Sequence, residues 1–323
     1  MKSKIRTGIE QKLEFYKKMV TIRKFEEKAL ELYSRNLIRG SIHMYIGQEA
    51  IAVGICSALK KGDMITSTHR GHGHIIAMGG DINRMMAELL GKSTGYCKGR
   101  GGSMHIADID IGVYGANGIV GGGIPIASGL ALASVMKGED NVAVTFLGDG
   151  AANQGLLYES LNMSSIWNLP VLFVCENNLY AQTTPSKYTL AGGSIAKRAV
   201  AFNIEGIEVD GNDVERVYEV GTYAIDKARS KKRPTLIEAK TYRWKGHWQG
   251  DPEPYRTKEE LREWMEKCPI KVYKDRLIKE FGVDKKEIED IENSVEMEVA
   301  GAEKFAISST EPDKSKLLED IYA

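Results

Sequence analysis

Two short apolar runs joined by a helical segment constrain the fold of this chain more than any other feature. The runs cover residues 141–147 and 170–175, and residues 153–167 between them follow a helical pattern. A helical crossover of this length returns the chain to the same edge of a sheet, so the two strands must be parallel. Residues 204–242 repeat the pattern of strand, helix and strand. The sequence therefore predicts an α/β fold, with a doubly wound parallel sheet flanked by helices.

Helical extensions are predicted on both sides of this sheet. Apolar residues recur at helical spacing in residues 10–36, and a second helix fits residues 48–59. After the sheet, three segments carry charge pairs at i,i+4 spacing, which is typical of surface helices: residues 258–268, 271–281 and 285–306. We expect a single domain over residues 1–323, with N-terminal helices (1–62), a ligand-binding core (63–245), and a loop with C-terminal helices (246–323).

Glycine is unusually frequent, at 34 of 323 residues, and concentrates between residues 71 and 129. About sixty residues that follow the turn at residues 60–63 include many of these glycines and show little strand-like alternation. We expect ordered loops around short helices there, which usually serve function in a compact domain. Residues 118–136 have the length of a membrane span, but their composition favours a Gly-rich turn that leads into a buried helix. We therefore expect no contact with a membrane.

Charge and cysteine usage exclude several classes of protein. Lys plus Arg and Asp plus Glu number 44 each, so the formal charge is zero and gives no overall field for nucleic acid. The four cysteines lie far apart without a CxxC pair, which disfavours a thiolate zinc site, a redox motif and a secreted disulfide framework. The mixed charge of residues 1–10 differs from a signal peptide. We expect a cytoplasmic protein.

A polar turn follows each of the two predicted strands at residues 141–147 and 170–175. Gly148-Asp149-Gly150 follows the first run and Glu176-Asn177-Asn178 follows the second. Ligands of open parallel sheets bind beyond the carboxyl ends of the strands, where both turns emerge side by side. The oxygens of Asp149 and Asn178 suit Mg²⁺, and the backbone N–H groups of the Gly150-Ala151 turn suit a phosphate. Each turn alone could be an ordinary turn, but their pairing 29 residues apart (178 − 149 = 29) favours a site.

Three histidines that are close in sequence raise the alternative of a zinc site. His69, His72 and His74 could supply imidazole ligands. Their segment has no carboxylate partner, however, and contains Arg70, which would repel a cation. We expect His74 to be structural.

Two alternatives come from different functional classes. A magnesium-dependent phosphohydrolase would use Asp149, with Glu176 as a candidate for the second carboxylate that activates water. A nucleotide-binding module without catalysis would use the same turns. The small number of ligands that the sequence offers disfavours the phosphohydrolase.

Several segments together resemble one protein family. GDGAANQG at residues 148–155, followed by ENN at 176–178, resembles the thiamine-diphosphate motif in its 2-oxo-acid dehydrogenase form. The resemblance covers about residues 19–260 and includes HMYIGQEA (43–50), HRGHG (69–73), GRGGSMH (99–105), GANGIVGGG (115–123) and GHWQGDPEPYR (246–256). It is strongest to the α subunit of the first component of these complexes. It implies the thiamine-diphosphate-binding fold, as the domain that binds the diphosphate.

The resemblance also implies roles for individual residues. Thiamine diphosphate and Mg²⁺ would be the cofactors, with Asp149, Asn178 and the backbone carbonyl of Tyr180 as metal ligands. The organic cofactor would contact a larger set of residues: His69, Arg70, Gly118, Ile119, Val120, Gly150, Ala151 and His247. Four histidines would be catalytic residues near the reacting atoms: His43, His72, His105 and His247.

Partners and a substrate follow from the same resemblance. The glutamate that activates this cofactor is not found in the chain, so a β subunit would supply it, in a heterotetramer of two α and two β subunits. A lipoyl-bearing acyltransferase would accept the acyl unit. The residue types at His69 and Trp248 are similar to those of acetoin dehydrogenases, which favours acetoin as the substrate. Pyruvate or a branched-chain 2-oxo acid is the alternative substrate.

Overall fold

A five-stranded parallel sheet forms the centre of the computed structural model, which describes residues 7–316 and 318–319. In chain order the strands are β1 (Met64–Thr66), β2 (Ala143–Gly148), β3 (Val171–Asn177), β4 (Tyr180–Ala181), β5 (Thr184–Pro185), β6 (Glu205–Asp210) and β7 (Thr235–Lys240). The sheet has the order β1-β2-β3-β7-β6, and every neighbouring pair in it is parallel. β4 and β5 form a separate antiparallel pair. The predicted parallel sheet is confirmed.

Ten α-helices surround the sheet in the described part of the chain: α1 (Ile9–Ser34), α2 (Glu49–Cys56), α3 (His72–Ala77), α4 (Ile82–Leu89), α5 (Gly123–Lys137), α6 (Gly155–Ile166), α7 (Val214–Lys231), α8 (Lys258–Glu266), α9 (Pro269–Lys279) and α10 (Lys285–Ser308). Side-chain caps explain where several begin. Asp213 accepts from the N–H groups of Glu215 and Arg216 at the start of α7, and Asp284 accepts from Lys286 at α10. Within residues 7–316 and 318–319, no helix combines the length and apolarity that crossing a bilayer requires.

Alternate residues of the buried strands face two apolar layers, which explains why these strands are apolar throughout. In β2, Val144 and Phe146 belong to one cluster of buried side chains, whereas Ala143 and Leu147 belong to another. The first cluster includes side chains of α1 to α4, α7, α9 and α10, and the second includes those of α5 and α6. Helices therefore cover both faces of the sheet, as in the predicted doubly wound arrangement.

The C-terminal helices contribute more to the core than their charge predicts. α10 packs against α1 and α4 and buries Val295 and Val299, and α9 buries Tyr273 and Leu277. Charge pairs at i,i+4 spacing lie on the exposed sides, as between Lys279 and Asp275. α9 and α10 are thus surface helices with exposed charge pairs, as predicted, and each also has an apolar stripe that faces the core.

Three elements near the carboxyl edge of the sheet differ from prediction. The buried helix expected after the Gly-rich turn is α5, but only one of its faces is buried, and Ile126 and Met136 are 46% and 79% exposed. The helix expected from residue 153 starts later, because residues 151–153 form a 3₁₀ turn and α6 begins at Gly155. The expected loops also contain β1, whose three residues are too few to show alternation.

Candidate cofactor site

A cavity of about 350 Å³ opens at the carboxyl ends of β2 and β3. Strand register places Gly148 opposite Glu176, so the polar turns that follow these residues lie side by side. Every residue that the family resemblance assigned to the metal or to the organic cofactor lines this cavity: His69, Arg70, Gly118, Ile119, Val120, Asp149, Gly150, Ala151, Asn178, Tyr180 and His247. Residues from five distant segments of the chain therefore meet at the predicted edge of the sheet.

Asp149 is the buried carboxylate of the cavity. It is 1% exposed, and its Oδ2 atom has no hydrogen-bond partner within the described residues. Burial raises the pKa of this carboxyl group to about 6, partly offset by hydrogen bonds from backbone N–H groups. A bound cation would remove this cost of burying a charge, so the environment suits a metal ligand.

The two asparagines after β3 have different surroundings. Asn177 Nδ2 donates to Glu238 at 2.8 Å, and Asn177 Oδ1 accepts from the Leu179 N–H at 3.2 Å. These bonds hold Leu179 at a φ of 71°, in the left-handed region. The resulting sharp turn brings Asn178 and Tyr180 to the cavity wall. Asn177 therefore stabilises the turn, while Asn178 faces the ligand space.

Two buried arginines give the cavity a positive wall. Arg70 donates to the carbonyls of Met44 at 2.6 Å and His247 at 3.0 Å. Arg243 donates to the Gln182 carbonyl at 2.9 Å. Burial, followed by the charge of Arg243, lowers the pKa of Arg70 to about 9, which keeps it cationic at neutral pH. Guanidinium groups in this setting suit a phosphate.

Three imidazoles gather beside the arginines. His43, His69 and His247 have ring nitrogens that all lie within 4.8 Å of one another. Burial, followed by the charge of Arg70, lowers their pKa values to about 3, 2 and 4, so the rings are neutral at physiological pH. Three imidazole nitrogens this close to one another could hold a metal ion. The neighbouring cations oppose a metal ion there, and neutral rings with N–H donors suit an anion better.

Two of the predicted catalytic histidines do not line the cavity. Both ring nitrogens of His72 have partners, Glu26 at 3.2 Å and Ser103 at 2.9 Å, and the side chain is buried. These bonds disfavour a direct catalytic role for His72. His105 is exposed beside the cavity rim, where a Cβ atom on Gly118 would lie 3.2 Å from its Cε1 atom.

His74 lies in a buried polar network. Its ring stacks on Phe146 with 3.8 Å between centroids, and its nitrogens lie 2.8 Å from Ser67 Oγ and 3.1 Å from Glu176 Oε1. Glu176 also accepts from the hydroxyl group of Tyr45. His74 therefore has structural contacts on both ring nitrogens, and the three histidines that are closest in sequence do not converge on one point.

The rim of the cavity is apolar and exposed. Ile119 and Val120, in the Gly-rich turn before α5, are 71% and 48% exposed, and the Ile119 N–H donates to Asn117 Oδ1 at 2.8 Å. The inner wall is tighter. A Cβ atom on Gly150 would lie 3.0 Å from the Cβ atom of Ala181. The backbone at Gly150 therefore reaches the cavity without an intervening side chain.

Sequence reasoning missed several residues that line the cavity, among them Gln48, Thr68, Met104, Asn117, Gln182 and Arg243. Gln48 stands inside the segment HMYIGQEA, but no local pattern distinguishes a ligand from a core amide. Arg243 is four residues before His247, a predicted phosphate ligand. This short distance in sequence was the signal that could have identified Arg243 as a residue of the site.

Unpaired polar atoms test whether these residues fit a ligand. Asp149 Oδ2, Gln48 Nε2 and His43 Nδ1 are buried, belong to cavity-lining residues, and lack partners among the residues that the structure describes. Each such atom costs about 1–3 kcal/mol if it stays unsatisfied. A carboxylate oxygen beside an amide donor and an imidazole nitrogen fits a divalent cation that is bound together with an anionic group. The residues present therefore fit a metal-bound phosphate ester.

Comparison with known proteins identifies the family. The dehydrogenase E1 component family matches residues 17–315, which include every residue of the cavity wall. The chain is 50% identical over 314 residues to the α subunit of acetoin:2,6-dichlorophenolindophenol oxidoreductase of Bacillus subtilis (strain 168), with 97% of this chain and 94% of the relative covered.

Two further relatives are similar over nearly the whole chain. The pyruvate dehydrogenase E1 component subunit alpha of Rhizobium meliloti (strain 1021) is 43% identical over 313 residues, covering 97% of this chain and 90% of the relative. The acetoin oxidoreductase α subunit of Cupriavidus necator is 44% identical over 311 residues, covering 96% and 93%. The fold, the cavity and these similarities agree, and the chain belongs to the dehydrogenase E1 component family.

Proposed function

We propose that this chain is the α subunit of a thiamine-diphosphate-dependent acetoin dehydrogenase, which cleaves acetoin and transfers the acetyl unit to a lipoyl group. The observation that carries the proposal is the meeting of Asp149, Asn178 and Arg70 in one cavity at the ends of β2 and β3. This combination offers hard oxygen ligands for Mg²⁺ and a guanidinium for a diphosphate. Membership of the family, and the names of its relatives, support the same cofactor.

Three residues are proposed as the Mg²⁺ ligands. The carboxylate of Asp149, the side-chain oxygen of Asn178 and the carbonyl of Tyr180 would hold the ion. The raised pKa of Asp149 supports this role, because burial without a counter-ion favours the neutral form of a carboxyl group. Mg²⁺ would complete its shell with water and diphosphate oxygens.

The remaining cavity residues would hold the organic cofactor. The N–H groups of Gly150 and Ala151 would donate to the diphosphate, as would Arg70, His69 and His247. The turn from Gly118 through Ile119 to Val120 would contact the aminopyrimidine. When bound, thiamine diphosphate supplies a carbanion that adds to a carbonyl carbon and a ring that accepts the electrons. His43, in the cavity, and His105, beside the rim, remain the proposed catalytic residues near the substrate, together with His247.

A β subunit is part of the proposal, because the cavity lacks one required group. The only acidic side chains in the described lining are Asp149 and Glu176, and Glu176 is already bonded to Tyr45 and His74. The activating glutamate would therefore come from a partner that covers the cavity mouth. The exposed side chains of Ile119 and Val120 at the mouth support such a contact. We infer a heterotetramer of two α and two β subunits.

Two residues and two relatives favour acetoin over 2-oxo acids as the proposed substrate. His69 lines the cavity with Arg70 and His247, the other proposed phosphate ligands, and Trp248 follows His247 and is 41% exposed. Both residues are similar to those at the same positions of acetoin dehydrogenases. The relatives at 50% and 44% identity are named as α subunits of acetoin:2,6-dichlorophenolindophenol oxidoreductases. The 43% identical pyruvate dehydrogenase subunit makes oxidative decarboxylation of pyruvate, or of a branched-chain 2-oxo acid, the second candidate.

Other parts of the proposal rest on the family alone. A lipoyl-bearing acyltransferase would accept the acyl unit, and the cytoplasm is the proposed compartment, with which the four free cysteines are compatible. A phosphohydrolase has no support among the relatives, and the bonds of Glu176 leave no free second carboxylate for it.

The substrate is tested with the α subunit assembled with its cognate β subunit. Reduction of 2,6-dichlorophenolindophenol is measured with cofactor and Mg²⁺, with acetoin, pyruvate or branched-chain 2-oxo acids as separate substrates. We expect acetoin to be the preferred substrate and the α subunit alone to show no turnover. A complex that oxidises pyruvate and ignores acetoin would overturn the substrate assignment, and full turnover by the α subunit alone would overturn the shared active site.

A further inference from the structure

Gln48 lies against the proposed metal ligand Asn178. Gln48 is 0% exposed, lines the cavity, and precedes the first residue of α2. Its Oε1 atom accepts from Asn178 Nδ2 at 3.1 Å. Its Nε2 atom is buried and has no partner within the part of the chain that the structure describes. One end of this amide therefore fixes Asn178, and the other end is an unused donor.

The orientation of the Asn178 amide decides whether it can bind a cation, because only its oxygen is a ligand. The Nδ2 end lies against Gln48 Oε1, and the Oδ1 end accepts from the Tyr180 N–H at 3.3 Å. A flipped Asn178 would set its oxygen against Gln48 Oε1 and its NH₂ group against the Tyr180 N–H. Gln48 thus favours the orientation that keeps Asn178 Oδ1 on the side of Tyr180, the other proposed ligand.

The place of Gln48 is itself well fixed. Its N–H donates to the Tyr45 carbonyl at 3.2 Å, and its carbonyl accepts from Ile51 at 3.0 Å. The next residue, Glu49, is fully buried and pairs with Arg23 at 2.7 Å. The backbone of Gln48 is therefore held from both sides, and its side chain extends from a fixed point.

We propose that Gln48 is a positioning residue that couples cation binding to anion binding in this cavity. This inference rests on the proposed function. Asn178 Oδ1 faces the cation, Asn178 Nδ2 donates to Gln48 Oε1, and Gln48 Nε2 donates to an oxygen of the bound anion. The two amides form one hydrogen-bonded chain, so each ligand stabilises the amide orientation that the other needs. Loss of the chain weakens the dependence of cofactor affinity on Mg²⁺.

Two substitutions separate the two ends of the Gln48 side chain. Gln48→Met removes both the acceptor for Asn178 and the free donor. Gln48→Glu keeps an acceptor for Asn178 but replaces the donor by an oxygen that repels the anion. Gln11→Met, on α1, is the matched control for the same chemical change, because Gln11 is not among the residues that line the cavity.

The experiment measures thiamine diphosphate binding by calorimetry to the assembled α and β subunits, with saturating Mg²⁺ and with the ion removed by chelation. We expect Gln48→Met to weaken binding with Mg²⁺ about tenfold or more, the size seen when outer partners of metal ligands are lost. Without the ion the loss should be smaller, because only the hydrogen bond from Gln48 Nε2 to the anion is then missing. Gln48→Glu should weaken binding under both conditions while the remaining binding keeps its dependence on Mg²⁺. The control should match the unsubstituted protein.

Each outcome decides the question. If Gln48→Met binds the cofactor with unchanged affinity and unchanged Mg²⁺ dependence, the inference is wrong. If thermal unfolding shows that Gln48→Met is not folded, Gln48→Glu decides, and the inference fails if its affinity is unchanged. If the unsubstituted complex does not bind the cofactor at all, the proposed function fails first, and the two failures are thus distinguished.

Discussion

At the scale of one residue, the burial of Asp149, a proposed metal ligand, has a cost to stability. The carboxyl group is almost fully buried, one of its oxygens has no partner in the described chain, and burial raises its pKa to about 6 from 3.8. The folded chain therefore takes up a proton at a higher pH than the unfolded chain does. Above about pH 6 the buried charge destabilises the cofactor-free fold, and below about pH 4 this cost disappears.

The substitution Asp149→Asn should stabilise the cofactor-free protein at pH 7.5 while it removes Mg²⁺-dependent cofactor binding. The expected gain is about 2–3 kcal/mol, because one pKa unit corresponds to about 1.4 kcal/mol. The gain should shrink as the pH falls from 6 to 4, where the carboxyl group of the unsubstituted protein becomes neutral. Thermal unfolding of both proteins across this range checks the prediction. A gain that is independent of pH would contradict it.

Close packing of α2 against α7 positions the cavity wall at the scale of secondary structure. A Cβ atom on Gly54 of α2 would lie 2.6 Å from Val217 Cγ1 and 2.9 Å from the Tyr218 backbone nitrogen. Glycine in a helix interior costs about 0.5–1 kcal/mol relative to alanine, so the close approach of the helices explains its presence. Because α2 begins directly after Gln48, its position also determines where that side chain lies.

The substitution Gly54→Ala should lower the free energy of unfolding by about 1–3 kcal/mol, because the added methyl group overpacks the contact with α7. Gly129→Ala is the matched control. Gly129 lies in α5 with no atom within 4 Å of an added Cβ, so alanine there should stabilise the isolated subunit by about 0.5–1 kcal/mol. Denaturant unfolding measures both. Equal changes in the free energy of unfolding for the two substitutions would show that helix propensity, and not packing against α7, determines the effect of Gly54→Ala.

At the scale of the whole molecule, an apolar face remains uncovered beside the cavity mouth. It consists of exposed side chains of the turn before α5, of α5 itself and of the C-terminal end of α6: Ile119, Val120, Ile126, Val135, Met136, Met163, Ile166 and Trp167. Apolar groups in this number usually mark a protein interface. The proposed β subunit would cover the part that borders the cavity, so we assign this face to that proposed partner.

Ile166→Glu should weaken assembly with the β subunit, because Ile166 is 64% exposed on this face and a buried charge there would be unpaired. Met297→Glu is the control, since Met297 is 70% exposed on α10, whose buried residues belong to the other apolar layer. Analytical ultracentrifugation of α and β mixtures measures the association. If Ile166→Glu abolishes only self-association of the α subunit, the face belongs to a second α chain instead.

Much of the fold and part of the site follow from local patterns in the sequence. Apolar runs, helical spacing and turn residues are properties of neighbouring residues, so β2, β3, α6 and α7 could be predicted within a few residues. The Asp149 and Asn178 turns follow directly, because strand ends define one edge of a parallel sheet. The exposed side of α5 could not be predicted, since an apolar helix looks the same whether the chain itself or a partner covers it.

The sequence by itself determined the parallel sheet and the edge of that sheet at which the proposed ligands Asp149 and Asn178 lie. The tertiary structure decided which side chains share the cavity. It brought Gln48 to Asn178 and Arg243 to Arg70, and it turned His72 toward Glu26. The physical reason is that these choices depend on contacts between segments more than 40 residues apart, 46 between His72 and Glu26 and 130 between Gln48 and Asn178. No local pattern records such contacts.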